Sequence, residues 1–298
     1  MVCNSCGGEK FTLEPFHYWW DERRFDGVRC RACELVSLSP MPSDADLAKL
    51  YDGDYFARGL HGLDQLRQSY EQWADAAMEV SRRFLLDELL PRRPGARSVF
   101  EIGAAMGHFL ESARREGLAV SGLEISPAAV TRAREKFGLE LACGNIEAFD
   151  PGPWAGRWDL VYAGDLFEHL RDPGGVLDKV ETLLAPGGLF FIRIPSTLNL
   201  LSTRLAAPVL RAAGRSRRLP DPPYHLYEYT PATIGRLFAR RFARVEIRQE
   251  AMAPERLNLK GGSPAYLAKR ALQVVNAPLT RLTGRWGDRL TVCGWKAG

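Results

Sequence analysis

Two hydrophobic periods run along this chain. From Ser98 to Trp295, apolar runs of strand length alternate with segments of three- and four-residue period. The runs are Ser98–Ile102, Leu118–Glu124, Trp158–Gly164 and Leu183–Ile194, and the pair Ala243–Gln249 and Arg289–Trp295 alternates like a closing hairpin. Strands separated by helices predict an α/β domain with a largely parallel sheet. Ahead of it, Tyr70, Trp73, Ala77, Val80, Phe84 and Leu85 recur at helical spacing within Gln65–Leu90, which predicts a helix packing that stripe on the core, or alternatively a lid over a ligand. Pro91–Gly95 ends it. Near the start, Phe16, Tyr18, Trp19 and Trp20 supply apolar surface for a β-hairpin, Leu35–Pro42 reads as a strand and a stiff linker, and Ser43–Tyr51 opens a helix. The expected division is a small module at 1–42, a helical linker or lid at 43–93, and the α/β domain at 94–298, with a cap insertion at 197–229 and a helical insertion at 263–284.

The domain is organised on SVFEIGAAMGHF, Ser98 to Phe109. An apolar run carries Glu101, passes Gly103 and Gly107 and enters an amphipathic helix, the opening of a nucleotide-cofactor site. The dinucleotide pattern G-x-G-x-x-G fails, because Ala105 and His108 occupy its second and third glycine positions. Glu101 would repel a pyrophosphate and attract a cation. S-adenosylmethionine carries an ammonium and a sulfonium, and Gly103 lets the backbone approach it closely. The next strand ends in Glu124, about 20 residues on, where a carboxylate accepts both ribose hydroxyls. The isolated turn leaves one alternative open, an unrelated doubly wound fold with a coincidental glycine turn.

CGNIEAF (Cys143–Phe149), WDLVYAGDLFEHL (Trp158–Leu170) and the Leu183–Ile194 run follow in order. With them the chain resembles the class I S-adenosylmethionine-dependent methyltransferases from Arg97 to Phe242. The resemblance implies methyl transfer on a Rossmann-like, seven-stranded α/β sheet. It also implies that Asn145, where the family often has Asp, and Ile146 flank the adenine. Ile125 and Asp165 join Glu101, Gly103, Ala105, Gly107 and Glu124 in the expected cofactor set, with Ala105 standing where the family usually has its second glycine.

Four of six cysteines form two pairs, Cys3–Cys6 and Cys30–Cys33. Two C-x-x-C knuckles supply four thiolates at zinc-ribbon spacing, so a structural zinc is expected, with disulfides the alternative. Cys143 and Cys293 sit by apolar runs and read as small buried hydrophobes. Cys30 to Phe56 resembles the N-terminal zinc-binding module of methyltransferases acting on nucleotide-linked sugars and other secondary metabolites. The sugar C-methylating members are longer, with a further C-terminal domain for which this chain has no room. The N-terminus lacks a basic region followed by an apolar run, and no apolar stretch has membrane-span length, so the expectation is a cytoplasmic enzyme.

Catalytic candidates gather after the fourth and fifth strands of the α/β domain. Asp165, Glu168 and His169 follow the fourth; His169 is either a general base or a residue that positions its loop. Tyr224, His225, Tyr227 and Glu228 follow the fifth and suit a polar acceptor pocket, with Tyr224, Tyr227 and Glu228 binding the acceptor and His225 the preferred base; a loop histidine bonded to a backbone carbonyl is the alternative. Asp221–Tyr224 matches the motif by which adenine methyltransferases hold a flipped base, but it follows the wrong strand and reads as a rigid loop. Leu198–Arg218 interleaves leucines and arginines, fitting a membrane-surface helix, a phosphate grip or a solvated cap.

The expected function is methylation of a small molecule (a sugar, glycan precursor or secondary metabolite, lipid-linked acceptors included), chiefly O-methylation by in-line displacement. The alternative is an RNA methyltransferase gripping nucleic acid with its ribbon. Against it, a net charge of +4 is mild and the N-terminal module mixes Asp and Glu with Arg. A non-catalytic cofactor-binding protein is the third class, and the complete motif set argues against it.

Overall fold

The computed structural model describes residues 1–50, 70–219, 222–251 and 264–298. At the N-terminus Phe11–Trp20 (β1) and Arg23–Cys30 (β2) form an antiparallel hairpin. Asp21 and Glu22 turn it with φ of 49° and 57°, the left-handed pair that a two-residue hairpin loop requires. Val36–Ser39 (β3) pairs with β2, and Asp44–Leu50 (α1) follows.

Two short helices, Tyr70–Ala76 (α2) and Met78–Phe84 (α3), precede the main sheet, and a wide helical turn at Leu85–Leu89 follows them. Ala74, Leu85 and Leu89 are buried, whereas Val80, expected in the core stripe, faces solvent. The register slips because the helix is interrupted at Ala77 and widened at Leu85, so one period does not carry through. The linker residues 51–69 and the side chains of Tyr70 and Trp73 lie outside the described residues.

The α/β domain then runs Ser98–Ile102 (β4), His108–Arg115 (α4), Ala119–Glu124 (β5), Pro127–Phe137 (α5), Ala142–Cys143 (β6), Trp158–Gly164 (β7), Pro173–Leu183 (α6) and Leu184–Pro195 (β8). Helix starts carry their own signals: Ser126 accepts from Ala129 N ahead of Pro127, and Asp172 accepts from Gly175 N ahead of Pro173. The remaining elements are Leu201–Ala212 (α7), Arg217–Arg218 (β9), Tyr227–Glu228 (β10), Pro231–Phe238 (α8), Arg244–Glu250 (β11), Pro264–Thr283 (α9) and Arg289–Trp295 (β12).

Seven strands build the main sheet in the order β11-β12-β8-β7-β4-β5-β6. The strands from β8 to β6 are parallel, and β12 enters antiparallel between β8 and β11, as the alternating pair predicts. Phe100, Ile102, Val161, Phe190, Ile192 and Val292 fill one face of the sheet under α6 and α8, while Val99, Leu110, Leu160 and Phe191 fill the other. The carboxyl ends of β4, β5 and β7 therefore open on one edge of a rigid slab. Being antiparallel, β12 brings its first residue, Arg289, to that same edge opposite Pro195.

A second sheet has the order β10-β3-β2-β1-β9. Its middle is the N-terminal hairpin and β3, but both outer strands come from the cap segment: Arg217 pairs with Phe16, and Tyr227 with Ser37. The cap segment thus covers two edges that would otherwise expose unpaired backbone groups. This sheet crosses the expected boundary at residue 42.

Candidate functional site

At the end of β4, Glu101 is buried and its Oε2 has no hydrogen-bond partner among the described residues. Burial, reinforced by Glu124, pushes its carboxyl well above the usual carboxylate range. Glu124 accepts from Ala105 N at 2.8 Å through one oxygen and from Ser126 N at 2.9 Å through the other. Its pKa is also raised by burial, against the pull of those backbone donors. Ala105 adopts φ 47°, the left-handed conformation that glycine takes without cost, so the chain keeps the backbone of the turn while departing from its residue. Gly107 cannot be replaced so readily: at φ 78°, an added Cβ would lie 2.7 Å from Leu139 Cδ1.

The other cofactor candidates lie along the same edge. Ile125 is 57 % exposed beside Glu124. Asn145 is exposed and its Oδ1 accepts from Glu147 N at 2.9 Å, which fixes the turn after β6. Ile146 points its side chain into the core with Phe100 and Ile102. Cys143, expected to be buried, is exposed because β6 is a two-residue edge strand; Cys293 is buried as expected.

Beyond β7 the backbone turns at Asp165, φ 47°, whose carboxylate pairs with Arg289. Three residues on, Glu168 is 1 % exposed and its Oε2 lacks a partner among the described residues. Burial first, then Asp165, pushes its carboxyl up to about 8. The two histidines, from different loops, meet here: the rings of His169 and His225 stand 5.1 Å apart and nearly perpendicular. His169 Nδ1–H donates to the Tyr224 carbonyl at 2.8 Å, which fixes its tautomer and aims Nε2 at Glu168 Oε1, 3.6 Å away. His225 Nδ1 faces Glu228 Oε1 at 3.8 Å, while the second oxygen of Glu228 accepts from Thr197 Oγ1 at 2.8 Å. Burial lowers the His225 pKa, but Glu228 and Glu168 outweigh it and the net shift is upward. One carboxylate and two imidazoles, with ligand atoms within 4.8 Å of one another, can hold a proton in common or a divalent ion.

The structure therefore assembles Asp165, Glu168, His169, His225 and Glu228 into one cluster. Tyr224 contributes its carbonyl to that cluster. Tyr227 turns away: its hydroxyl donates to Arg171 O at 3.1 Å and accepts from Asn4 Nδ2 at 2.7 Å, at the seam with the N-terminal module. Asp221 of the proline turn lies outside the described residues. Sequence reasoning missed Arg289, and missed Arg193, which donates to Glu250 at 2.6 Å beside it. The available signal was a lone arginine at the end of each apolar strand, on the edge where the parallel strands finish.

In the N-terminal module Cys3 Sγ lies 3.5 Å from Cys33 Sγ, and Cys6 Sγ 3.6 Å from Cys30 Sγ. No pair is bonded, and all four sulfurs lie within 4.8 Å of one another. Tetrahedral thiolates about 2.3 Å from zinc stand about 3.8 Å apart, close to this spacing. Burial pushes Cys3 up to about 12, whereas at Cys30 the backbone donors of Cys33 and Ala32 outweigh burial and bring the thiol to about 7. A Cβ on Gly8 would press on Cys30 Sγ at 3.2 Å and on Cys6 Sγ at 3.4 Å, so glycine there leaves room for the sulfurs to converge.

Comparison with known proteins follows the same lines. A methyltransferase-domain family matches residues 70–241. The chain is 27 % identical over 191 residues to a ubiquinone biosynthesis O-methyltransferase of Xanthomonas axonopodis pv. citri, the match covering 62 % of this chain and 71 % of that protein. It is 29 % identical over 191 residues to the protein of the same name from Xanthomonas oryzae pv. oryzae, with the same 62 % and 71 % coverage. Among solved structures, a methyltransferase from Archaeoglobus fulgidus superposes with a TM-score of 0.51 at 19 % identity, over 76 % of this chain and 98 % of that one, a likeness of fold.

Proposed function

Because the chain belongs to the class I S-adenosylmethionine-dependent methyltransferases, we propose that it methylates a hydroxyl of a small polar molecule, with His225 as general base. S-adenosylmethionine fits the turn between β4 and α4. The buried, unpartnered Oε2 of Glu101 is a costly group for a protein to keep, and a cationic ligand offsets that cost. Gly103, Ala105 and Gly107 shape the turn that faces the ligand, Glu124 retains lone pairs for the ribose hydroxyls, and Ile125 and Asn145 are exposed on the adenine side. When bound, the cofactor supplies a methyl group on a sulfonium that an acceptor oxygen displaces in line.

The observation that carries the reading is the meeting of His169 and His225 over buried Glu168. His169 is committed to a backbone carbonyl, so its role is to fix the loop and face Glu168. His225, with Nδ1 toward Glu228, keeps Nε2 for the acceptor's proton, and Glu228 and Glu168 stabilise the imidazolium once the proton arrives. Asp165, held by Arg289, closes the side of the pocket toward the cofactor turn. The names of the Xanthomonas relatives favour oxygen as the acceptor atom. Four convergent thiols support a structural zinc in the N-terminal module, which on this reading serves the fold and has no catalytic position. Incubation of the purified enzyme with methyl-labelled cofactor and a panel of phenolic and sugar acceptors tests the proposal. Labelled methyl ethers support it, and transfer solely to RNA overturns it.

A further inference from the structure

Helix α9 carries its chemistry inside out. Gln273, Asn276 and Thr280 are buried; Gln273 Nε2 donates to Asp288 Oδ2 at 3.0 Å, and Asn276 Nδ2 to Trp286 O at 2.9 Å. Its outward side bears Leu272, Val274, Val275 and Leu282, the last 85 % exposed. An ordinary surface helix has the opposite arrangement. Helix α7 touches α9 and presents Leu205 and Val209, one turn apart and 61 % and 67 % exposed. Of the twelve large hydrophobic residues exposed among the described residues, six lie on these two helices, so the apolar surface is concentrated there.

The charge of the same surface has one sign. Neither 198–218 nor 264–285 contains an aspartate or glutamate, and Arg215, Arg217, Arg218, Arg281 and Arg285 are all exposed. A second copy of the chain is a poor occupant, because a two-fold contact would set arginine against arginine with no carboxylate from these segments between them. Single-stranded nucleic acid is also a poor match, since exposed leucine and valine offer no ring for a base to stack on. Aliphatic side chains rimmed by arginines match an acyl boundary beneath phosphate headgroups. No helix among the described residues is long and apolar enough to cross a membrane, so the contact is one of lying on the surface.

We propose that α7 and α9 together form a docking surface for an anionic lipid bilayer. The surface adjoins the candidate active site: β8 passes through Ser196–Asn199 into α7, and α9 leads to Arg289, the partner of Asp165. Docking there sets the acceptor side of the sheet against the headgroups, whichever acceptor is methylated.

Flotation of the full-length protein with phosphatidylglycerol/phosphatidylcholine vesicles tests this, with pure phosphatidylcholine vesicles as the comparison. The protein should float with the anionic vesicles and be released by salt. The pairs Leu205→Asp/Val209→Asp and Leu272→Asp/Val275→Asp should each lower the bound fraction about tenfold or more, and Arg281→Glu/Arg285→Glu should do the same. The milder Val275→Ser/Leu282→Ser pair should move it in the same direction. Melting temperature and S-adenosylhomocysteine affinity should stay at wild-type values, which separates lost docking from lost folding. Absence of binding at low salt, equal binding to neutral vesicles, or undiminished binding by folded variants overturns the proposal. A wild-type dimer broken by Leu205→Asp/Val209→Asp also overturns it and assigns the face to a second copy.

Discussion

Replacing Glu124 by alanine should damage the protein in two separable ways. The carboxylate holds Ala105 N at 2.8 Å and Ser126 N at 2.9 Å, so truncation strips an acceptor from a left-handed turn and another from the residue that caps α5. Hydrogen bonds to a charged acceptor contribute about 1.5–3 kcal/mol each. Burial already opposes ionisation at this site, and water can reach part of the vacated space, so a net loss of about 2–3 kcal/mol is expected from the pair. For a chain of this length that lowers the melting temperature by about 3–6 °C. Cofactor affinity should fall separately by about 1.5–3 kcal/mol, or roughly 10- to 150-fold, because the ribose hydroxyls lose their acceptor. Glu124→Gln keeps one carbonyl oxygen for one of the two backbone donors, so its melting temperature should fall between wild type and Glu124→Ala while its affinity loss stays large. Scanning calorimetry of the free protein and titration calorimetry with S-adenosylhomocysteine, both at pH 8, give the two numbers. An alanine variant that melts like wild type refutes the hydrogen-bond argument, and one that binds like wild type refutes the cofactor assignment.

His225→Ala should lower methyl transfer by about 10²–10⁴ with cofactor affinity nearly unchanged; wild-type turnover at saturating acceptor would send the search for a base to His169 or Asp165. Because a base must be unprotonated and the His225 pKa lies above its ordinary 6.5, activity should be present at alkaline pH and be lost as pH falls through a midpoint above 6.5; a midpoint below that value in kcat/KM counts against this role. Ala105→Gly should relieve the left-handed backbone at φ 47° and, after the added freedom of the unfolded chain is subtracted, stabilise by about 0.5–1 kcal/mol; a lower melting temperature contradicts the strain argument. Cys30→Ser should release the zinc that elemental analysis finds in wild type, and should also reduce turnover, because β10 adjoins His225 and hangs on the ribbon's sheet; zinc-free wild-type protein removes the basis of this expectation.

What the sequence showed was local chemistry. Glu101, Gly103 and Glu124 are legible because a strand, a turn and the next strand lie within one short segment, and the four cysteines because a knuckle is a local device. The seven-stranded sheet follows from strand length and alternation. What stayed hidden depends on distant pairing. Arg289 meets Asp165 from 124 residues away, and nothing in either neighbourhood announces the other. The two-residue strands β9 and β10 are too short for any periodic signal, yet they decide where the N-terminal module ends. The two histidines illustrate both sides: each stood out by residue type, but the carbonyl bond that commits one of them belongs to His169, a choice made by loop geometry.

The sharing of strands between ribbon and cap constrains how such an enzyme can be recombined. Because β9 and β10 close both outer edges of a sheet whose centre is the first 39 residues, the ribbon is inherited as two pieces of chain more than 170 residues apart. A chimera that grafts the first 42 residues onto a related catalytic domain brings in a sheet without its border strands, and a truncation that removes them leaves Tyr227 and Glu228 without the strand they pair with. Either cut leaves a raw edge on which other chains can add. Exchange that respects the fold must move the N-terminal segment and the stretch from Arg217 to Glu228 together, so the unit of modularity here is a surface of the folded molecule and not an interval of its sequence.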